Sequence, residues 1–193
     1  NNTSMGASSL LLNTTGSRNT AVGNNALRSC TTATNNTAVG VDALYAATTG
    51  SQQGNTAVGD QSGRYLTTGS RNVAVGYYAL FSSTTSSDNT ALGGSALYTN
   101  TTGDRNTASG YQALSDNTTG ARNVASGYLA LNNNTTGSGN IGIGFVRGDN
   151  VYQPVFDPTT EDNRFVAGHH GITNAYVKVA WTVVSDERDK MNF

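Results

Sequence analysis

The sequence predicts an all-β fold, a parallel β-solenoid (β-roll) of about nine coils, from two observations. First, an Asn with a Gly four places on recurs nine times, almost always at a step of 17 residues. Second, Val, Leu, Ile and Phe together supply only 35 of the 193 residues, whereas 23 are Gly. So little apolar material cannot fill a thick globular core, and the Gly, Asn and Thr content disfavours helices. A βαβ unit needs about 30 residues, so the period fits one coil of stacked parallel strands better.

The repeat defines columns of equivalent residues. In the coil that begins at Asn106, a first strand alternates, with Thr107 and Ser109 on one side and the small Ala108 on the other. The Gly that follows never varies, which indicates a close approach by another part of the chain or a positive φ angle. A second short strand is predicted to carry a column of Leu, and a Thr-Thr-Gly turn closes the coil. One step of 19 residues reflects an insertion at 51–54, which a corner loop accommodates. The repeat Asn residues are Asn2, Asn19, Asn36, Asn55, Asn72, Asn89, Asn106, Asn123 and Asn140.

The thinness of the coil predicts association between chains. One chain by itself leaves either its Ala/Gly strip or its Thr/Val strip exposed, so we expect copies to pack side by side. The stacked Asn side chains are expected to hydrogen-bond along their column, as they do in cross-β assemblies. This explains an Asn at each corner without any catalytic role.

Composition excludes several classes of function. The net charge is −1, only 12% of residues are charged and no Lys/Arg cluster occurs, so we expect no nucleic-acid partner. No apolar run has transmembrane length, so we expect no membrane insertion. Cys30 is the single cysteine and forms no intrachain disulfide. Because no phosphate loop, carboxylate pair or His/Cys cluster is found, we expect no conventional hydrolase, no cofactor and no metal.

The motif Asn-Thr-Ala-Val-Gly-x-x-Ala resembles the head repeats of YadA-like trimeric adhesins over roughly residues 2–145. In that family the repeats form a left-handed parallel β-roll with three chains side by side. The resemblance therefore implies that this chain forms a homotrimer, a number that the residue pattern does not supply. We assign residues 1–146 to the repeat solenoid.

Residues 147–184 are predicted to form a different module, because the period disappears after Arg147. Short strands are predicted at 151–156 and 164–167, and a longer alternating strand at 176–184. The longer strand has one apolar face, formed by Val177, Val179, Trp181 and Val183. So short a segment cannot bury that face alone, and we predict an intertwined trimeric β stalk whose core forms between chains.

Residues 185–193 resemble the opening of the endosialidase-type intramolecular chaperone, a C-terminal autoprotease domain of phage tail fibres and tailspikes. The match is Ser-Asp-x-Arg-x-Lys followed by Asn and a hydrophobic residue. The resemblance implies that Ser185 is a nucleophile, that Lys190 is its base and that the Val184–Ser185 bond is cut. A partly desolvated Lys can have a pKa low enough for this role. The rest of that domain is missing, so we do not expect the chain as given to be an enzyme; an ordinary polar turn is the alternative.

Three other sets of residues suggest chemistry, and for each a structural role is preferred. His169 and His170 could bind a metal on a threefold axis, but neighbouring strand residues face opposite ways, so only one per chain points inward. The Arg residues before the repeat Asn could meet acidic glycans, although a solvated corner explains them. The Tyr residues after the repeat Gly could stack on sugars, although packing between chains is preferred. These two sets are Arg18, Arg71, Arg105 and Arg122, and Tyr77, Tyr111 and Tyr128 with Phe145 next in line.

The function expected from these observations is mechanical. The chain is predicted to be a segment of a virion fibre, a phage tail fibre that contributes to host-surface attachment and folds with a C-terminal chaperone. Its expected partners are two copies of itself, other virion tail proteins and a host-surface glycan or protein receptor. The alternative is the head of a bacterial trimeric adhesin at the cell surface. A remote alternative is an ice-binding solenoid, suggested by the Thr pair at each turn.

Overall fold

The computed structural model describes residues 1–48, 54–144 and 158–167. Within these residues every regular element is a β-strand of three residues, and no helix occurs. All ten strands belong to one parallel sheet in which spatial order follows chain order. The predicted all-β parallel solenoid is therefore confirmed. The strands are β1 (Thr3–Met5), β2 (Thr20–Val22), β3 (Thr37–Val39), β4 (Thr56–Val58), β5 (Val73–Val75), β6 (Thr90–Leu92), β7 (Thr107–Ser109), β8 (Val124–Ser126), β9 (Ile141–Ile143) and β10 (Phe165–Ala167).

The sheet register places equivalent residues of successive coils opposite one another. Ala21 pairs with Ala38 and Ala38 with Ala57, so the insertion in the third coil leaves the register unchanged. We number the positions of a coil from its repeat Asn, which is position 1, and each strand occupies positions 2–4. Coil 5 begins at Asn72, coil 6 at Asn89 and coil 7 at Asn106. With strands about 4.8 Å apart, ten of them make a rod about 43 Å long.

The predicted second strand of each coil is wrong. After the repeat Gly the chain forms consecutive β-turns, in which the N–H of Ala26 donates to the Gly23 carbonyl (3.3 Å) and that of Arg28 to Asn25 (3.1 Å). The alternate N–H of Leu27 donates instead to Ala43 of the next coil (3.0 Å). Asn25 and Leu27 have φ angles of 55° and 49°, in the left-handed region. Left-handed residues at alternate positions curl the chain while the coils remain hydrogen-bonded, which a hydrophobic pattern does not reveal.

Positions 8 and 12 are buried in the interior, and three further columns of buried side chains carry the most constant residues of the repeat. The first contains the small residue at position 3, and the second contains the Leu at position 9. Coil 4 has Gly63 in place of this Leu, but the fully buried Leu66 three residues later restores apolar volume to that coil. The third column is the repeat Asn itself, buried in coils 2–9. The Leu column consists of Leu27, Leu44, Leu80, Leu97, Leu114 and Leu131.

The predicted Asn column is confirmed in detail. Oδ1 of Asn89 accepts a hydrogen bond from the N–H of Asn106 (2.9 Å), and Nδ2 of Asn106 donates to the Gly120 carbonyl (2.9 Å). Oδ1 of Asn106 then accepts from the N–H of Asn123 (2.9 Å). Each Asn thus satisfies buried backbone groups on two neighbouring coils, which would otherwise be costly to bury. No catalytic role is needed to explain these residues.

Both proposed reasons for the invariant Gly hold. Gly76 has a φ of 133°, and a Cβ atom added to it would lie 2.6 Å from the carbonyl carbon of Gly93 in the next coil. A side chain is therefore excluded by the backbone angle and by the stacking distance. The Gly of the Thr-Thr-Gly turn differs, because the positive φ in that corner falls two residues later, at 59° for Arg105.

The sheet extends beyond residue 146, at which we predicted the solenoid to end. Strand β10 pairs with β9 at a step of 24 residues, as Phe165 opposite Ile141 shows. The hydroxyl of Thr135 donates to the Thr159 carbonyl (3.0 Å), so the turn column also continues. The predicted strand at 164–167 is thus present, but it lies on the solenoid. The predicted strands at 151–156 and 176–184 lie outside the described residues.

Candidate functional site

The predicted autoprocessing residues lie outside the described part of the chain. Ser185, Lys190 and the bond that precedes Ser185 are among them, and so are His169 and His170. The autoprocessing dyad therefore stays a prediction. Among the residues that the structure does describe, no group of three His, Cys, Asp or Glu side chains could hold a metal ion. Within the same ranges, no helix has the length and apolar character needed to cross a membrane.

Cys30 is not a reactive thiol. Its side chain is fully buried at position 12, and the desolvation that accompanies burial raises its pKa. The hydrogen bond with the Asn13 side chain opposes this shift only in part. Because the thiolate is the nucleophilic form, a buried thiol with a raised pKa stays protonated and inert.

The sheet side of the rod presents two rows of side chains, at positions 2 and 4, because the middle residue of strands β2–β10 points inward. None of these twenty side chains is charged. Several are large and exposed, including Met5 at 67% and Phe165 at 54% of their surface. The rows are Thr3, Thr20, Thr37, Thr56, Val73, Thr90, Thr107, Val124, Ile141 and Phe165, and Met5, Val22, Val39, Val58, Val75, Leu92, Ser109, Ser126, Ile143 and Ala167. We call this surface the sheet face.

The opposite side, formed by the β-turns, carries a different kind of column at position 10. In coils 2–4 this column alternates cations and a ring, with Cζ of Arg28 and of Arg64 lying 5.8 and 5.7 Å from the Tyr45 ring centroid. The guanidinium of Arg64 also contacts Gln61 (2.8 Å) and Asp42 (3.4 Å), which lie at position 7. Both rings and cations gain from such stacking. We call the surface formed by positions 7, 10 and 11 the turn face.

In coils 5 and 6 the turn face is aromatic. The rings of Phe81 and Tyr98 stack at 5.2 Å between centroids with an angle of 2° between planes. Tyr78 stands edge-on to both, at 4.8 Å and 5.9 Å. Tyr65 is edge-on to Phe81 at 5.0 Å. These contacts fix the orientation of the rings, since edge-to-face and parallel arrangements both suit the ring quadrupole.

The aromatic run of the position 10 column ends at a groove in coil 7, where Ser115 takes the place of a ring. The groove has a volume of about 290 Å³ and is lined by Tyr78, Ser95, Tyr98, Gln112, Ser115 and Asp116. The hydroxyl of Ser115 contacts Oδ1 of Asp116 at 3.0 Å. Its lining thus combines two phenol rings, an amide, a carboxylate and two hydroxyls.

The Tyr row that sequence analysis identified lies elsewhere, at position 6 on the corner between the two faces. The rings of Tyr111 and Tyr128 stack there with 5.5 Å between centroids, and both side chains are exposed. The ring centroids of Tyr77 and Tyr78 lie 3.9 Å apart. A hydrogen bond between these two phenols raises the pKa of Tyr77 to about 12. The turn-face cluster was missed, although aligning position 10 would have placed Tyr45, Phe81 and Tyr98 in one column.

The basic column at position 17 lies on an exposed corner of the rod. It is interrupted by Asp88, whose carboxylate forms a two-point ion pair with Arg71, at 2.6 Å to Nε and 3.0 Å to Nη2. The Arg71 side chain is 66% exposed. The hydrogen bond from Arg71 lowers the pKa of Asp88, and the same bond raises the pKa of Arg71.

Comparison of the chain with protein family models, with curated proteins and with solved structures finds no match. The geometry therefore defines a class of architecture, a single-sheet parallel β-solenoid with two chemically different sides, and no family assignment accompanies it.

Proposed function

We propose that the chain is a rod-forming segment of a homotrimeric fibre whose copies pack through their sheet faces. The observation that carries this proposal is the absence of charge from the twenty outward side chains of strands β1–β10. Uncharged, partly apolar surfaces that run the length of a molecule are typical of interaction surfaces. Large apolar side chains such as Met5, Ile143 and Phe165 are exposed to water on a single chain, and burying them against another surface is favourable.

The occupant of the sheet face in this proposal is a second copy of the same chain. Rows of equivalent residues repeat with the coil rise, so another copy offers side chains at the same spacing along the whole rod. An unrelated partner would match that spacing only locally. Closed symmetric assembly also covers every copy equally. The number of three comes from the resemblance of the repeat to YadA-like adhesin heads.

The biological role that we propose is a phage tail fibre that contributes to host-surface attachment, outside the cell, together with other tail proteins. A rod of stacked coils suits this mechanical role, and the Ser-Asp-x-Arg-x-Lys ending supports a virion fibre over other rods. In this proposal residues 168–184 contribute to an intertwined stalk. Ser185 and Lys190 then belong to a chaperone segment that cuts the Val184–Ser185 bond only when the rest of that domain is present.

The alternative, the head of a bacterial trimeric adhesin, is favoured by the repeat motif but not by the ending. Immunogold electron microscopy with antibodies against the rod separates the two. Label on the tails of released phage particles supports the fibre, whereas label on the bacterial surface and none on particles replaces it with the adhesin.

Oligomeric state tests the assembly directly. Sedimentation equilibrium of the 193-residue chain is expected to give a mass of three chains at every dilution that can be measured. A stable folded monomer, with the circular dichroism of a β protein, would contradict the trimer.

The turn Thr residues, which suggest the remote ice-binding alternative, also have a structural role in the rod. In most coils the first Thr of the turn pair donates its hydroxyl to the carbonyl of the equivalent Thr in the next coil, as from Thr67 to Thr84 at 2.9 Å and from Thr118 to Thr135 at 3.0 Å. Its presence is therefore explained within the rod. Measured thermal hysteresis would nevertheless revive this alternative.

A further inference from the structure

We propose that the groove on the turn face at coils 5–7 binds a pyranose ring of a neutral saccharide. This inference rests on the proposed attachment function for its biological meaning, but its geometry stands independently of the trimer. The groove lies on the turn side, whereas the proposed interface uses the sheet face, so assembly leaves the groove open. Its volume of about 290 Å³ lies at the lower end of small-molecule sites, which suits one or two sugar rings.

Tyr98 supplies the stacking platform. One face of its ring is covered by Phe81, with the two planes 2° from parallel. Along the same column the following residue is Ser115, which carries no ring, and the groove opens at that place. The C–H groups of a pyranose pack well on such an aromatic face, which carries negative charge density. Tyr78, edge-on to Tyr98 at 5.9 Å, forms the neighbouring wall.

The polar groups of the groove match the hydroxyls of a sugar. Gln112 offers a donor and an acceptor, Ser95 offers a hydroxyl, and Asp116 offers acceptor oxygens. Each sugar hydroxyl both donates and accepts, so this mixed set can satisfy several of them at once. The contact from Ser115 to Oδ1 of Asp116, at 3.0 Å, holds the carboxylate in place before a ligand arrives.

The single negative charge of the groove favours a neutral ligand over an acidic one. Asp116 is the one charged side chain among the residues that line this groove. The nearest guanidinium pair of the turn face, in coils 2 and 4, is occupied by Tyr45 and by the partners of Arg64. A carboxylate on the ligand would therefore face Asp116 without a compensating cation, which disfavours sialic and uronic acids.

Saturation-transfer NMR on the full chain tests this proposal. The probes are methyl α-glucoside, methyl β-galactoside, methyl α-mannoside and N-acetylglucosamine, with N-acetylneuraminic acid as the acidic comparison. We expect transfer to at least one neutral sugar and transfer about fivefold weaker in the variants Tyr98→Ala and Gln112→Ala. Tyr128→Ala removes an exposed ring outside the groove and should leave the signal unchanged.

A third variant protects the test against misfolding. Ser115→Phe places a ring at position 10, where the preceding coils carry Phe81 and Tyr98, so it fits the repeat and fills the groove. Its circular dichroism should match that of the original chain while saturation transfer disappears. Absence of transfer to every neutral sugar, equal transfer in Ser115→Phe, or preference for the acidic sugar would each overturn the proposal. A trimer without sugar binding would refute only this inference, whereas a monomer that binds would refute only the proposed assembly.

Discussion

The two sides of the rod are built from the same coils, but the residue types on them vary differently from one coil to the next. On the sheet face, positions 2 and 4 repeat Thr, Val and similar residues from β1 to β10 without a charge. On the turn face, position 10 changes from Arg28 through Tyr45 and Phe81 to Ser115. The chemistry of the sheet face is therefore nearly constant along the rod, whereas that of the turn face changes from coil to coil.

This difference indicates how a repeat protein divides its tasks. A regular surface suits a partner with the same period, and another copy of the chain is such a partner. An irregular surface creates individual sites, because a single coil can replace a ring by a small residue and open a groove. The interior columns permit both, since they hold the backbone constant while the surface varies.

The largest effect is expected when charge is placed on the sheet face. The double variant Val75→Lys with Leu92→Lys should dissociate the trimer in dilute solution, because two unpaired cations would have to be buried in the interface. The matched control, Thr102→Lys with Thr119→Lys, adds the same charge on an exposed turn column and should stay trimeric. Sedimentation velocity distinguishes the two. Dissociation of both variants alike would show that net charge, and not the sheet face, controls assembly.

A side chain in the Gly column should destabilise the coils themselves. Gly76→Ala combines a φ of 133° with a Cβ contact of 2.6 Å to Gly93, and we expect a loss of about 3 kcal/mol or more in the free energy of unfolding. The control Gly54→Ala, at a φ of 73° with no atom within 4 Å, should lose about 1 to 2 kcal/mol. Urea unfolding at fixed chain concentration measures both. Equal losses would mean that close stacking is not what the column requires.

The Asn column should matter less per residue than the Gly column. Asn106→Ala removes the acceptor of the Asn123 N–H and the donor to the Gly120 carbonyl, both at 2.9 Å. The Gly120 carbonyl keeps a second donor, Nδ2 of Asn117 at 2.9 Å, so the Asn123 N–H is the group left buried and unpaired, which should cost about 1 to 3 kcal/mol. Asn24→Ala, at the exposed position 6 where coil 1 already has Ala7, should change stability by less than about 0.5 kcal/mol. An unaffected Asn106 variant would remove the column from the list of stabilising features.

The smallest effect is expected at the corner formed by position 17. Because the hydrogen bond from Arg71 lowers the pKa of Asp88, the folded chain holds this carboxylate ionised more strongly than the unfolded chain does. The resulting stabilisation is present above the unfolded pKa of about 4 and is lost as the pH falls through the lower folded value. Asp88→Asn should therefore lower the Tm slightly at pH 7 and not at strongly acidic pH. The effect is small because both side chains are solvated, and a gap that widens in acid would have the wrong sign.

Local patterns were enough for the first strand of each coil and for the columns that stack along the rod. The constant step between repeat Asn residues predicted the parallel register, and the small residue, Gly and Leu predicted stacked columns. Whether the Ala/Gly or the Thr/Val strip lies inside came only from the structure, which buries the small residue of position 3. The second strand was wrong because Leu27 and its equivalents adopt positive φ, which their residue type does not signal. The coil that ends near Thr159 and Thr160 was missed because extra residues and the replacement of the Asn by Arg164 hide the period.

The sequence by itself determined which residues share a column, because a fixed period makes equivalent residues coincide once strands stack. It did not determine which columns meet across a coil. Only the tertiary structure brought Tyr78 of position 7 against Phe81 and Tyr98 of position 10, and so placed a groove beside Ser115. The physical reason is that this proximity depends on how sharply consecutive left-handed turns curl the chain, a backbone property that neither periodicity nor composition encodes.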